Sequence, residues 1–207
     1  MKVYIINSSE ARARVSFAIA LAKSLKKDGK TLLISTKRND VNIEDYFGKD
    51  GMISYDLADY FKEVYSFKDV KCKEEENLDF IIAPLLEGKH EISKEDLQRL
   101  VKEEAYEYIV IDKLDLNLIY EKKSVKIIKI DQVDESIEED SFFIDEVDEN
   151  LDIRLFKEKI EAKGKIFLGK RRANEIYDKI IDNLINGRNT SIASLSFFEK
   201  LKMKFKK

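Results

Sequence analysis

Three stretches of the chain carry side chains that could do chemistry. The first is the loop between the apolar strand Val3–Ile6 and a long helix, with Ser8, Ser9, Glu10, Arg12, Arg14 and Ser16. A helix N-terminus has free backbone N–H groups and a partial positive charge, so it favours an anion. Arg12 and Arg14 flank this one. Ser8, Ser9, Arg12, Arg14 and Ser16 are therefore the candidate anion-binding residues, the alternative being arginines that are solvated or paired with Glu10. The second is Asp112, an acid closing the run Tyr108–Ile111, where a carboxylate often caps the following turn. The third is the basic, aromatic stretch Ser196–Lys207. Cys72 and His90 are the single cysteine and the single histidine. They exclude an internal disulfide, a thiolate zinc cluster and a multi-histidine metal site, and both are read as functionally silent.

The elements that must position these groups alternate between strand and helix. Val15, Ala18, Ile19, Ala22 and Leu25 recur at spacings of three and four, predicting a helix over Ala11–Lys27. Asp28-Gly29-Lys30 stops it, with Gly29 expected in the left-handed C-terminal position, and the strand Thr31–Ser35 follows. The stretch 36–51 reads as irregular, Ile53–Tyr65 as a helix, and Lys68–Asn77 as a charged surface crossing. Leu78–Ala83 is a strand stopped by Pro84, the only proline. Ser93 and Asp96 open a helix with a capping box, whose buried face is expected from Leu97, Leu100 and Val101. Tyr108–Asp112 is a near-continuous apolar run, as in a central parallel strand buried on both faces. Ser124–Ile130 and Lys165–Leu168 read as strands, and Asn174–Ile185 as a helix ending near Gly187. This order implies an α/β fold, a mostly parallel, Rossmann-like sheet with helices on both faces. It suggests a domain over 1–186, a linker over 187–195 and a basic amphipathic tail over 196–207.

Composition bounds the function classes. The 207 residues are 43% hydrophobic and 38% charged, with net charge −3, so the chain is globular with a heavily charged surface. Charge is unevenly placed. Eleven acids and no Lys or Arg lie between Asp131 and Asp152, while Lys200–Lys207 holds five lysines and no acid. The acidic stretch reads as a solvated face. No apolar run approaches the roughly 20 residues of a membrane-spanning helix and no cleavable leader is evident, so a cytoplasmic location is expected.

Over about its first 130 residues the layout resembles the MinD/ParA family of P-loop ATPases, which carry a deviant Walker A loop. The family's strand, K-G-G-x-G-K-T-T loop and A-x-N-L-A-x-x-L-A-x-x-G-K helix are matched by Ala18–Lys30 followed by Thr31–Ile34. Its strand ending in Asp is matched by Tyr106–Asp112. The resemblance implies a P-loop NTPase-type sheet and a vestigial Walker B position at Asp112. It also places substitutions where the family does chemistry. Ser9 stands at the signature lysine, and Glu10, Ala11 and Ala13 at the three glycines. Arg14 stands at the phosphate lysine, Val15 at the magnesium-binding threonine, and Ser35 at the acid ending the second strand. Loop glycines let backbone N–H groups wrap phosphate, and magnesium needs oxygen ligands that valine lacks. The expectation is a pseudo-ATPase with no catalytic residues, no metal and no cofactor; the alternatives are ATP or ADP bound weakly without hydrolysis, and a divergent ATPase.

In the tail, Ser196 and Glu199 form a capping box. At 100° per residue, Phe197, Phe198, Leu201 and Phe205 share one arc, rimmed by Lys200, Lys202, Lys204, Lys206 and Lys207. That composition suits a helix lying in an anionic membrane interface, and MinD-type proteins end in such a helix. Strict alternation over Leu201–Lys206 also permits a strand, and a terminus packed on the domain is the third reading. Nucleic-acid binding through the lysines is the weaker alternative, because nothing beyond charge supports it. The expected function is a membrane-associated scaffold or spatial-organisation factor, peripheral at the inner face of the cell membrane. It would serve division, flagellum or pilus, or partitioning machinery, with a protein partner or a second copy of the chain.

Overall fold

A computed structural model of the chain describes residues 1–8, 11–103, 105–119, 125–130, 142–144, 154, 166–168, 174–188 and 193–204. The chain divides into two compact units, Met1–Ile130 and Asp131–Lys207.

The first unit is built on six strands: β1 (Lys2–Asn7), β2 (Thr31–Ser35), β3 (Cys72–Glu75), β4 (Leu78–Ile81), β5 (Tyr108–Asp112) and β6 (Val125–Ile130). They lie in the order β3-β4-β2-β5-β1-β6. All neighbours run parallel except β3, which is antiparallel to β4. The mostly parallel α/β sheet expected from the alternating elements is therefore present. In β5, Ile109, Val110 and Ile111 are all buried, as a strand covered on both faces requires.

Helix α1 (Ala11–Leu25) packs on β1, β2 and β5, carrying Val15, Ala18, Ala22 and Leu25 fully buried. The opposite face holds one core of Val3, Ile5, Leu32, Ile34, Ile109 and Ile111 from the strands. Leu57, Tyr60 and Phe61 of α3 (Leu57–Phe61), Val70 of α4 (Phe67–Val70) and Leu100 of α5 (Lys94–Val101) close it. A short helix α2 (Ile43–Tyr46) lies between β2 and α3.

Several local expectations are corrected. The helix read over Ile53–Tyr65 is only Leu57–Phe61: Asp56 caps it, accepting from the N–H groups of Ala58 and Asp59, and Glu63 ends it at φ 59°. The charged crossing after it contains α4 and β3, and the irregular stretch 36–51 contains α2 with an Asn42–Asp45 capping box. Gly29 is not in the left-handed region. A Cβ there would lie 3.1 Å from the Glu107 side chain, whose carboxylate accepts from the Lys30 N–H at 2.5 Å, so close approach is what glycine serves. Val101 is exposed instead of joining the α5 core face. The Ser93–Asp96 capping box forms as read.

In the second unit, β7 (Phe142–Ile144) pairs in parallel with β8 (Ile166–Leu168). Helix α6 (Asn174–Ile185) buries Ile180, Ile181 and Leu184 and stops at Gly187, φ 64°. The tail forms α7 (Phe197–Lys204), a helix and not the alternative strand. The acidic stretch 131–152, apart from β7, lies outside the described residues.

Candidate functional site

Parallel strands bring their C-terminal ends to one edge, and in such sheets ligands bind along that edge where the strand order reverses. In the register, Asp112 stands opposite Ser35 on one side and Ile6 on the other. The ends of β1, β2 and β5 therefore converge, and groups from β2, from α1 and from the residue after β1 close around Asp112.

Asp112 is fully buried. Its Oδ1 accepts from Arg14 Nε at 2.6 Å and its Oδ2 from Ser35 Oγ at 2.8 Å. Arg14 comes from the first turn of α1, and its side chain is 2% exposed. Its Nη1 donates to the Ser8 carbonyl at 2.9 Å, while Nη2 is buried with no hydrogen-bond partner. One guanidinium thus ties β5, α1 and the start of the loop after β1 together. Burial pushes the Asp112 carboxyl up from its ordinary pKa, and the Arg14 charge, the Ser35 hydroxyl and Lys113 work against that rise. Lys113 adopts φ 64°, donates its N–H to Ile6 O at 2.9 Å, and reaches Nζ to Ser8 O at 3.5 Å.

The sequence-derived anion set is thereby sorted. Arg14 faces inward and is committed to Asp112, so it is not solvated. Ser8 is buried, and its carbonyl receives Arg14 and Lys113. Arg12 is exposed. Ser16 Oγ donates to the Ala13 carbonyl within α1 at 3.0 Å, and Val15 is fully buried. Ser9 and Glu10 lie outside the described residues. Ser35 and Lys113 join the site; the signal for Ser35 was its place at the end of β2, and nothing in the sequence marks Lys113. Among the described residues no group of His, Cys, Asp or Glu could hold a metal ion.

A second polar cluster was not anticipated. Asp56, fully buried, accepts from the Leu85 N–H and from Lys89 Nζ, both at 2.8 Å, and Lys89 also reaches Asp59 at 2.8 Å. The spacing of Asp56 and Asp59, an N-cap and its N3 acid, was the available clue.

At the other end of the chain, Phe197 and Phe198 on α7 are 72% and 74% exposed, and Leu201 is exposed as well. Lys200 and Lys202 are exposed, and Lys204 lies in the helix. Phe205, Lys206 and Lys207 lie outside the described residues. Glu199, hydrogen-bonded by Ser196 and paired with Arg154 at 2.8 Å, has its pKa pulled down to about 2. No helix among the described residues is long and apolar enough to cross a membrane.

In sequence, the chain matches no protein-family model and no curated protein. Solved structures do match its fold. A plasmid partition protein from Borrelia burgdorferi is 19% identical with a TM-score of 0.61, covering 90% of this chain and 98% of that one. The septum site-determining protein MinD from Pyrococcus horikoshii, complexed with Mg-ADP, is 16% identical with a TM-score of 0.50, covering 87% and 77%. The cell division ATPase MinD from Pyrococcus furiosus is 14% identical, also at 0.50, covering 88% and 80%. With its strand order, its helix-entry loop and its acid at the end of β5, the chain has the fold of the MinD/ParA-type P-loop ATPases.

Proposed function

We propose that this chain is a non-hydrolysing protein of the MinD/ParA fold that acts as a scaffold or spatial-organisation factor at the inner face of the cell membrane. The observation that carries the reading is the state of Asp112. Both carboxylate oxygens are occupied, by Arg14 and by Ser35. Phosphoryl transfer depends on positioned metal and on neutralised phosphate charge. Here the charge of Asp112 is met by a guanidinium of the chain itself, and a magnesium ion would have to approach against that cation. The glycine-free loop and Val15 work in the same direction, so no nucleotide or metal cofactor is assigned. Positioning is the task named for the fold's relatives, a plasmid partition protein and a septum site-determining protein. That supports a similar role here, exerted through a protein partner or a second copy. The exposed aromatic face of α7, beside lysines, supports contact with anionic lipid, and a single short helix of this kind binds reversibly.

Calorimetry with ATP and ADP plus magnesium tests the first half: no binding heat is expected, and micromolar binding with phosphate release overturns it. Sedimentation with anionic and neutral vesicles tests the second. Pelleting is expected with anionic vesicles alone, and equal pelleting after removal of 196–207 withdraws the membrane role.

A second reading has one observation of its own. Arg14 Nη2 is a buried donor with no partner, an arrangement that costs about 1–3 kcal/mol and that a small anion at the loop would relieve. Phosphate binding without nucleotide binding in the same calorimeter would favour it.

A further inference from the structure

Asp112 meets Arg14 on the α1 side of the sheet, so the preceding Ile111 faces the other side. The register puts more apolar residues on that side: Ile5 stands opposite Ile111, and Val3 opposite Val125. With α5 and the turn Leu116–Leu118 they enclose a half-open cavity of about 320 Å³. Val3, Ile5, Leu100, Ile111 and Leu114 are buried at its floor. Its lining contains no aromatic ring and no hydroxyl, and Lys94 and Gln98 are its two polar side chains. They lie four residues apart on α5, hence on one side of the helix.

Pockets for small molecules are typically about 300–1,000 Å³, mostly apolar, with a few polar groups that fix orientation. An apolar cavity of about 150 Å³ lined by Leu, Ile and Phe stays dry and takes up benzene; this one has about twice that volume. With no ring in the lining, nothing favours a flat ligand through stacking, and methyl groups pack well along a saturated chain. The rim then decides which head group the chain carries. Lys94 already has a partner within the chain, and Glu95 and Asp96 share its helical turn. An ionised head would therefore leave water there without a counter-charge of its own, which is costly. Gln98 is differently placed. Its carboxamide lines the cavity and makes no hydrogen bond among the described residues, and it can both donate to and accept from a hydroxyl.

We propose that this cavity binds a neutral, medium-chain aliphatic alcohol, its chain against Val3, Ile5 and Ile111 and its hydroxyl at Gln98. The site stands independently of the tail and of the nucleotide question. The full chain, titrated with hexanol, octanol and decanol below their solubility limits and followed by calorimetry and methyl NMR, tests it. Saturable one-to-one binding is expected, with shifts concentrated on the methyls of Val3, Ile5, Leu97 and Ile111. Affinity should rise about fourfold for each added methylene. Decanoate and decylammonium should each bind at least about threefold more weakly than decanol. Val101→Trp brings a large ring to the wall from an exposed position and should weaken decanol at least roughly tenfold. Gln98→Met keeps the bulk of the side chain without its hydrogen bonds and should weaken decanol about threefold. Absent saturation, either ion bound as tightly as decanol, or affinity unchanged in both variants would each overturn the proposal. So would a concentration-dependent dimer that shifts the same methyls before any alcohol is added, because a second copy would then fill the cavity.

Discussion

The Asp112 cluster and the tail helix handle charge and apolar surface in opposite ways. At the end of β5, a carboxylate and a guanidinium are both withdrawn from water and satisfy each other, with Ser35 and the Ser8 carbonyl taking further bonds. On α7, lysines stay in water and two phenylalanines are left there with them. A buried pair of this kind sets internal geometry and offers little to a ligand, whereas an exposed aromatic face gains nothing until it meets one. The strand-end edge around Asp112 is thus inward-looking, whereas the last described helix of the chain is outward-looking.

The largest expected effect lies in the buried pair. Arg14→Ala or Asp112→Ala alone leaves an uncompensated buried charge and should cost about 3–5 kcal/mol in urea unfolding. Replacing both together, Arg14→Met with Asp112→Leu, removes the desolvation of two charges and should recover most of that loss. If the double variant instead shows the sum of the single losses, the pair is not the unit that holds the edge together.

On the tail, Phe197→Ser combined with Phe198→Ser should reverse the pattern. Folding stability should move by less than about 0.5 kcal/mol, because exposed side chains contribute little to the core. Anionic-vesicle affinity should fall at least roughly tenfold, since two large apolar side chains no longer enter the interface. A loss of stability with vesicle binding intact would assign these rings to the protein interior.

The contrast between the two regions also explains what could be read from sequence. Tyr108–Asp112 and Asn174–Ile185 were legible because their apolar periods are unbroken over several residues. The tail helix was legible from its capping box. The Ile53–Tyr65 helix was overextended because its apolar period continues past Phe61, while the backbone turns over at Glu63, a residue type that does not announce a left-handed conformation. β3 was invisible because Lys73, Glu74 and Glu75 are charged; an edge strand can carry such residues where a central one cannot. At the candidate site, the place of Asp112 at the end of β5 was legible, but the destination of Arg14 was not. An arginine in the first turn of a helix reads as solvated. The overlooked signal is its position, four residues before Ala18 and eight before Ala22, within the buried stripe of α1.

A smaller, pH-dependent effect is expected at the cap of α5, where the Asp96 carboxylate is largely buried. Burial pushes the Asp96 pKa up, but hydrogen bonds from His90 at 2.7 Å and from Ser93 outweigh it, and the carboxyl is held below its ordinary value. A depressed carboxylate contributes stability that is complete above its unfolded pKa, about 3.9, and is lost as the pH falls through the lowered folded value. Ser93→Ala removes one hydrogen bond to the carboxylate and one acceptor for the Asp96 N–H. It should cost about 1 kcal/mol at pH 7 and less at pH 3, where part of the carboxylate contribution has been lost. Equal costs at both pH values would place the whole effect in the N-cap.

The smallest effect separates strain from charge at the edge itself. Lys113 and Glu63 are both non-glycine residues in the left-handed region, at φ 64° and 59°, a conformation that costs an L-residue about 1–2 kcal/mol. Glycine relieves that cost but adds freedom to the unfolded chain worth about 0.4–1 kcal/mol. Glu63→Gly also gives up an ion pair with Arg99 on a largely exposed carboxylate, which contributes little, so a net gain of about 0.5 kcal/mol is expected. Lys113→Gly obtains the same relief but removes an ammonium that offsets the burial of Asp112 and reaches the Ser8 carbonyl. Its net change should be close to zero or slightly destabilising in the same urea measurement. Should Lys113→Gly stabilise as much as Glu63→Gly, the neutralisation of Asp112 rests on Arg14 and Ser35 alone, and the lysine is at the edge for reasons of backbone geometry.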